Sequence, residues 1–249
     1  MNGEQGVTRP RPLPELLLVA GLFLAYKLGR VAISGHTSAA YDNALAVWHL
    51  ERAWHLPSEA ALQHTALGWP WLMRSADVYY AVLHFPVTAG LLLWTYWRRP
   101  GLYRWTRTML ALLTAGAFVV HWLLPLAPPR LLAATGMIDT GRVIGPSVYG
   151  DPDNDTLSNQ FAAMPSLHVG WALAVAITLV VAFRGRWRWL WLAYPMLTLA
   201  VVVITANHYW IDGVVAVVML GVIIAVAPAP WRERAGLIVS PALSRSPKS

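Results

Sequence analysis

Long apolar runs, each close to the length needed to cross a lipid bilayer, recur throughout this chain of 249 residues. We place six of them, over residues 13–33, 75–97, 106–124, 165–183, 189–205 and 208–226. A helix of about twenty apolar residues spans the hydrocarbon core, and it pairs its own backbone polar groups inside the lipid. The sequence therefore predicts an all-α polytopic membrane protein with six transmembrane helices.

The composition agrees with a membrane protein rather than a soluble one. Charged residues make up 12% of the chain and hydrophobic residues 57%, whereas soluble domains carry about 25% charged residues. A net charge of +7 would suggest nucleic acid as the partner of a soluble protein. Here the arginines cluster in short loops, so we expect no nucleic-acid partner. We expect one membrane-embedded domain over residues 1–249, with tails at residues 1–12 and 228–249.

The distribution of cations predicts how the helices are oriented. Six spans put both termini on one side, and that side holds Arg9, Arg11, Arg98, Arg99, Arg104, Arg107, Arg184, Arg186, Arg188, Arg232, Arg234, Arg245 and Lys248. The loops of the opposite side hold only Arg52, Arg74, Arg130 and Arg142. Because cytoplasmic loops carry an excess of Lys and Arg, both termini are expected in the cytoplasm. Lysine-poor, alanine- and arginine-rich composition suggests a bacterial plasma membrane.

Residues 164–168 (Met-Pro-Ser-Leu-His) open the fourth apolar run. Proline suits the first turn of a helix, where its missing N–H is no loss. The N–H groups of Ser166, Leu167 and His168 would then lack intrahelical partners and favour an anion, phosphate above all. His168 would place an imidazole, able to give or take a proton near neutral pH, beside that anion site.

Residues 207–212 (Asn-His-Tyr-Trp-Ile-Asp) open the sixth apolar run. If this stretch is helical, His208 and Asp212 are four residues apart and share one face. A carboxylate in that position would hold one ring nitrogen of His208 and leave the other nitrogen free to attack. The spacing therefore predicts an activated histidine at this end of the run.

Most of the ionisable residues inside the predicted spans fall at one depth, the level of His168 and His208. The others at this depth are Lys27, Arg30, Asp77, His84 and His121. Charges inside a membrane are costly and usually face a functional cavity. We therefore expect one polar site at the extracytoplasmic face. A purely structural role is an equal alternative for His84 and His121, and Glu51, in the first outer loop, is expected to belong to a lid over the membrane surface.

Three motifs resemble those of the type 2 phosphatidic acid phosphatase (PAP2) superfamily. Residues 165–168 resemble its Pro-Ser-x-His motif, residues 208–212 its His-x-x-x-Asp motif, and residues 127–130 (Ala-Pro-Pro-Arg) its arginine-bearing first motif. The amino-acid sequences of the motifs at residues 127–130 and 164–168 most resemble those of the inositol phosphorylceramide synthase-like branch. The motifs cover residues 127–212, and the six-span layout extends the resemblance over most of the chain. The resemblance implies a PAP2-like helical bundle.

The resemblance also implies a mechanism. His208 would attack the phosphorus of a membrane lipid phosphate and form a phosphohistidine, while Asp212 orients and stabilises it. His168 would protonate the leaving oxygen and then activate water or an alcohol. Arg130 and the N–H groups at the start of the fourth span, Ser166 included, would hold the phosphoryl oxygens. This scheme needs no metal and no cofactor.

Two positions depart from the superfamily pattern. A lysine usually stands seven residues before the arginine of the first motif, and an arginine six residues before the attacking histidine. This chain has Leu123 and Val202 there. We hypothesise that Lys27 and Arg30 replace these cations in binding the substrate, and that Asn207 donates a further hydrogen bond.

Several alternatives remain open at this stage. The enzyme could pass the phosphoryl group to water as a phosphatase, or move a phosphorylated head group to an alcohol as a synthase-like transferase. A non-catalytic transporter or flippase of anionic lipids is a third reading, although such proteins bind near the bilayer midplane. A histidine–carboxylate zinc site would lack the tight ligand pair and cysteines that usually mark one. The sequence does not indicate an oligomeric state.

Overall fold

The computed structural model describes residues 10–15, 17, 21, 37–146 and 160–227, and throughout these ranges the regular structure is helical. The helices are α1 (Thr37–Ala53), α2 (Glu59–Leu67), α3 (Pro70–Arg98), α4 (Pro100–Leu123), α5 (Thr140–Val143), α6 (Leu167–Ala182), α7 (Arg186–Ile204) and α8 (Trp210–Val226). Helix α3 contains a π-helical segment, Tyr79–Leu83, and α7 begins with a 3₁₀ segment, Arg186–Leu192. The all-α prediction is confirmed.

The apolar helices coincide with five of the six predicted spans. Helices α3, α4 and α7 are long and apolar enough to cross a membrane, while α6 and α8 are apolar but shorter. Most of the predicted first span, with Lys27 and Arg30, lies outside the described residues, as do residues 147–159 and 228–249. The chain is an integral membrane protein, and the count of six spans stays a prediction.

Helices α6 and α8 are shorter than the other apolar helices, and they begin next to each other. Helix α6 has 16 residues and α8 has 17, which gives lengths of about 24–26 Å at 1.5 Å per residue. The hydrocarbon core is about 30 Å thick. The two helices start side by side, because the Ser166 N–H donates to the Asp212 carbonyl at 3.1 Å. Residues that the sequence assigns to the starts of these spans instead form turns.

Helix α6 is the centre of the bundle and packs against α3, α4, α7 and α8. Its buried residues are mostly small, among them Gly170, Ala172, Ala174 and Ala176. Small side chains let neighbouring helices approach closely, which is how membrane helices gain packing contacts without a hydrophobic driving force. This close packing fixes the start of α6, and with it His168, relative to the other helices.

Helices α1 and α2 cover the start of α8. The Glu51 carboxyl on α1 accepts the Ile211 N–H at 2.9 Å, and the Trp210 indole donates to the Pro57 carbonyl at 2.8 Å. Glu51 is fully buried. Its carboxyl group is therefore part of the packing between α1 and α8, and its place in a lid over the membrane surface stays a prediction.

A second connection fixes the segment around α5. The Asp77 carboxylate on α3 accepts the Thr140 hydroxyl at 2.7 Å, and the Gly145 N–H donates to the Thr140 carbonyl at 3.1 Å. The Gly145 backbone lies so close to α3 that a Cβ added there would be 2.2 Å from the Cβ of Asp77. Asp77 thus holds this segment rather than joining the histidines.

Substituting Gly145 by alanine is expected to destabilise the fold. The added methyl group has no room against Asp77, and overpacking of this kind costs about 1–3 kcal/mol. The thermal unfolding temperature of the purified protein in detergent should fall. Gly90→Ala is the matched control, because nothing lies within 4 Å of its added Cβ. Equal unfolding temperatures for the two variants would contradict the close approach.

Candidate active site

His208 lies in the turn between α7 and α8, two residues before α8 begins. The N–H groups of Asn207 and His208 both donate to the Val202 carbonyl, at 3.0 and 3.1 Å. Ala206 has φ of 57°, a left-handed conformation that is strained for residues other than glycine. Such strain is concentrated at functional sites. The turn therefore fixes the His208 backbone outside the helix.

The predicted contact between His208 and Asp212 is present, although they do not share a helix face. Asp212 stands in the first turn of α8, and its Oδ2 atom accepts the Tyr209 N–H at 2.9 Å. The same oxygen lies 3.2 Å from Nδ1 of His208. The helix-capping geometry, rather than a one-turn spacing along a helix, brings the two side chains together.

Both neighbours of the Nδ1 atom of His208 are acceptors. Besides Asp212, the Ala163 carbonyl oxygen lies 2.8 Å from Nδ1. Because two oxygens face this nitrogen, Nδ1 carries the proton, and the lone pair of a neutral ring is on Nε2. The histidine is held in one orientation with its second nitrogen available for chemistry.

Ser166 is the N-cap of α6, which corrects the prediction for this motif. Pro165 precedes the cap instead of opening the first turn, and the Ser166 N–H is used by the Asp212 carbonyl. The Ser166 hydroxyl accepts the Val169 N–H at 3.4 Å. Because an N-cap lies outside the helix, the N–H groups of Leu167 and His168 are the first two that lack intrahelical carbonyls.

His168 faces His208 from the first turn of α6. The centroids of the two rings are 6.1 Å apart. The Tyr80 ring stacks on His168 at 4.4 Å, and the His84 ring lies 4.7 Å away. Half-buried between these aromatic rings, the His168 side chain is fixed beside His208 while part of it stays accessible.

Arg130 is buried in a network of oxygen atoms. Its guanidinium group donates to Asn207 Oδ1 at 2.8 Å and to Gln160 Oε1 at 3.5 Å, and its Nε lies 3.3 Å from Asp139 Oδ2. The Arg130 N–H also donates to the Ala206 carbonyl at 3.0 Å. These bonds tie the arginine to the turn that carries His208.

Of the predicted substrate-binding residues Asn207, Lys27 and Arg30, the structure places Asn207 in contact with Arg130. The Asn207 amide donates to Thr205 and accepts from Arg130, so in this arrangement it orients the arginine. Lys27 and Arg30 lie outside the described residues, and their role stays a prediction. Asp139 and Gln160, which the sequence did not single out, contact Arg130 directly.

The two positions where the superfamily usually has cations have different surroundings in this structure. The Leu123 side chain is 67% exposed at the end of α4. The Val202 side chain is buried in the core, and only its carbonyl oxygen supports the His208 turn.

Two further histidines, His84 and His121, lie close to His168 and His208. Nδ1 of His84 and Nε2 of His121 are buried without a hydrogen-bond partner in the described ranges. His121 lies beside the Pro165 carbonyl, at the start of the segment that leads into α6. In the same ranges, no three His, Cys, Asp or Glu side chains are placed to hold a metal ion.

The fold and the site define an integral membrane protein whose polar centre holds a histidine–aspartate pair, a second histidine and an arginine. A model of the PAP2 superfamily matches residues 45–226, which is most of the chain. The chain belongs to the PAP2 superfamily, whose members are generally phosphatases and phosphotransferases. Comparison with curated proteins and with solved structures gives no match.

Proposed function

We propose that this protein is a lipid phosphate phosphatase or phosphotransferase that works through a phosphohistidine on His208. The observation that carries the proposal is the orientation of the His208 ring. Its Nδ1 is fixed by the Asp212 carboxylate and the Ala163 carbonyl, and its Nε2 is left to act beside His168. A histidine held in this way is an activated nucleophile.

In the first step, the Nε2 lone pair of His208 attacks the phosphorus of the lipid phosphate. The bond between phosphorus and the lipid oxygen breaks, and that oxygen takes a proton from His168. Asp212 stabilises the positive charge that develops on the His208 ring. The product is a lipid alcohol and a phosphoryl group bonded to His208.

In the second step, His168 takes a proton from the acceptor, whose oxygen attacks the phosphorus. The phosphorus–nitrogen bond breaks and His208 regains its lone pair. Water as acceptor yields inorganic phosphate. Arg130 and the N–H groups of Leu167 and His168 stabilise the phosphoryl oxygens as charge builds in both steps.

The second candidate is the inositol phosphorylceramide synthase-like transferase. In that reaction an alcohol replaces water, and a phosphorylated head group moves to it. The amino-acid sequences of residues 127–130 and 164–168 favour this branch. The attacking and acid–base residues are the same, but the donor is a phosphodiester lipid, whose head group stays on the phosphorus bonded to His208, and the acceptor is an alcohol. A non-catalytic transporter or flippase gives no reason for the strained turn or the fixed histidine.

The proposed site faces the extracytoplasmic side, with both termini in the cytoplasm of a bacterial plasma membrane. The cation distribution between the two sets of loops supports this orientation. Residues 10–15 agree with it, because Glu15 pairs with Arg107 and Pro10 contacts Tyr96, near the basic turn between α3 and α4. That turn lies at the end of the bundle opposite His208.

Product analysis distinguishes the candidates. Purified protein in detergent is supplied with lipid phosphate monoesters and, separately, with phosphodiester lipids, each with and without a chelator and an alcohol acceptor. We expect free phosphate to be released in the presence of chelator. A new phosphodiester lipid formed only with the alcohol, without free phosphate, would establish the transferase instead. No turnover of any lipid phosphate would contradict the enzymatic proposal.

A further inference from the structure

Two buried carboxyl groups lie behind the His208–Asp212 pair, and the steps above use neither of them. Glu51 on α1 is 0% exposed and Glu59 on α2 is 3% exposed. Buried charges are costly unless they are paired and hydrogen-bonded. The partners of the four carboxyl oxygens therefore determine which of the two groups is ionised.

Two of the four oxygens have evident partners. Glu51 Oε1 accepts the Ile211 N–H at 2.9 Å, and Glu59 Oε2 accepts from the Arg52 guanidinium at 2.8 Å. Glu51 Oε2 and Glu59 Oε1 are buried, and no N–H or O–H group of the described chain donates to them. The two carboxyl groups are close enough to hydrogen-bond to each other. A single proton between these oxygens satisfies both.

The proton belongs to Glu51. Glu59 forms an ion pair with Arg52 at 2.8 Å, whereas no cation among the described residues lies beside Glu51. Glu51 has one N–H donor, and burial raises its pKa to about 9, with further contributions from the hydrogen bond to Glu59 and from the negative charges of Glu59 and Asp212. A series of hydrogen bonds therefore links Arg52 to Glu59, Glu59 to neutral Glu51, and Glu51 to the Ile211 N–H.

We infer that Glu51 is a positioning residue that acts as a neutral acid and holds the first turn of α8 where His208 needs Asp212. Ile211 directly precedes Asp212, so the hydrogen bond to Glu51 fixes the backbone from which that carboxylate extends. Neutral Glu51 also keeps a second negative charge away from Asp212. This inference rests on the proposed function, because it gives Glu51 its effect through His208.

Ionisation of Glu51 would oppose catalysis. The charged and titratable groups around it are Arg52 on α1, Glu59 on α2, and Tyr209 and Asp212 at the start of α8. A negative charge on Glu51 would repel the neighbouring Glu59 carboxylate, and this repulsion would displace the Glu51 carboxyl group from the Ile211 backbone that it holds. The Glu51–Glu59 hydrogen bond would be lost at the same time.

The direction of the pH dependence follows from this pKa. The folded chain keeps a proton on Glu51 that the unfolded chain releases above its ordinary pKa of 4.5. The free energy of unfolding should therefore decrease as the pH rises from 4.5 to about 9. Above about 9 the folded chain loses this proton as well, and we expect kcat to fall.

The test compares Glu51→Ala with Glu51→Gln. Alanine removes the acceptor of the Ile211 N–H, and we expect kcat to fall about 10- to 100-fold with little change in KM, the range found for groups that orient catalytic residues. Glutamine reproduces both hydrogen bonds of the neutral acid, so it should rescue kcat and remove the alkaline fall. Thr106→Val is the control, because Thr106 is buried and its side chain bonds to Thr178 on α6, away from this cluster.

Infrared difference spectroscopy measures the proton without relying on activity. The spectrum of the parent minus Glu51→Gln should show the C=O band of a protonated carboxylic acid at neutral pH, and the band should vanish in alkaline solution. A carboxylate signal at neutral pH would overturn the inference, as would a glutamine variant as impaired as the alanine variant. If the parent turns over no lipid phosphate, the proposed function fails, while the infrared result still decides the state of Glu51.

Discussion

Replacing His208 with alanine is expected to abolish turnover of lipid phosphates. The imidazole provides the only nitrogen that Asp212 and the Ala163 carbonyl orient for attack. Removing the nucleophile of a covalent enzyme lowers kcat by on the order of 10⁶-fold. The loss should appear in kcat, because in the proposed mechanism Arg130 and the N–H groups at the start of α6, which bind the phosphate, are unchanged.

The matched control for this variant is His64→Ala. His64 lies on α2 and is exposed, so its removal tests the general effect of losing a histidine. The unfolding temperatures of both variants should be measured beside their rates. A folded His208→Ala protein with the turnover of the parent would exclude His208 as the nucleophile.

Replacing Arg130 with lysine is expected to lower kcat by about 10²- to 10³-fold, the cost of losing an oriented donor to a developing negative charge. Lysine keeps the charge but has a point-like ammonium group in place of the planar fork of donors. It therefore cannot contact Asn207, Gln160 and Asp139 together while also holding a phosphoryl group. Glutamine at the same position should reduce the rate further, because the positive charge is lost as well.

Arg142→Lys is the control for Arg130, because Arg142 is exposed and lies in the same loop between α4 and α6. A loss of rate confined to Arg130 would support its role in holding the phosphate. If Arg130→Lys changed only the unfolding temperature and left kcat and KM unchanged, the arginine would be structural. Asp139 and Asn207 would then be partners in packing alone.

The periodicity and the motifs predicted the class of fold and the residues at its centre. Apolar runs identified α3, α4, α6, α7 and α8, because a span of membrane length is visible in a single stretch of sequence. The contact between His208 and Asp212 was also predicted. Its geometry was not, because a spacing of four residues does not show that α8 begins between them and that Asp212 folds back as part of its cap.

The partners of the central residues could not be predicted, because they come from distant parts of the chain. Asp139 and Gln160 reach Arg130 only once the segments before and after residues 147–159 are folded together. Glu51 lies in a helix of mixed polarity, and this pattern indicates neither burial nor a bond to Ile211. Local patterns cannot encode these contacts, since they depend on the packing of α1 and α2 against α8.

The most direct test is to trap the phosphoryl group on the protein. Parent and His208→Ala are mixed with a lipid phosphate labelled in its phosphoryl group, quenched during turnover, and digested to locate the label. We predict a phosphate bonded to His208, stable in base and labile in acid as expected for a phosphorus–nitrogen bond, and missing from His208→Ala. Label on another residue, or continued turnover by the alanine variant, would contradict the phosphohistidine mechanism.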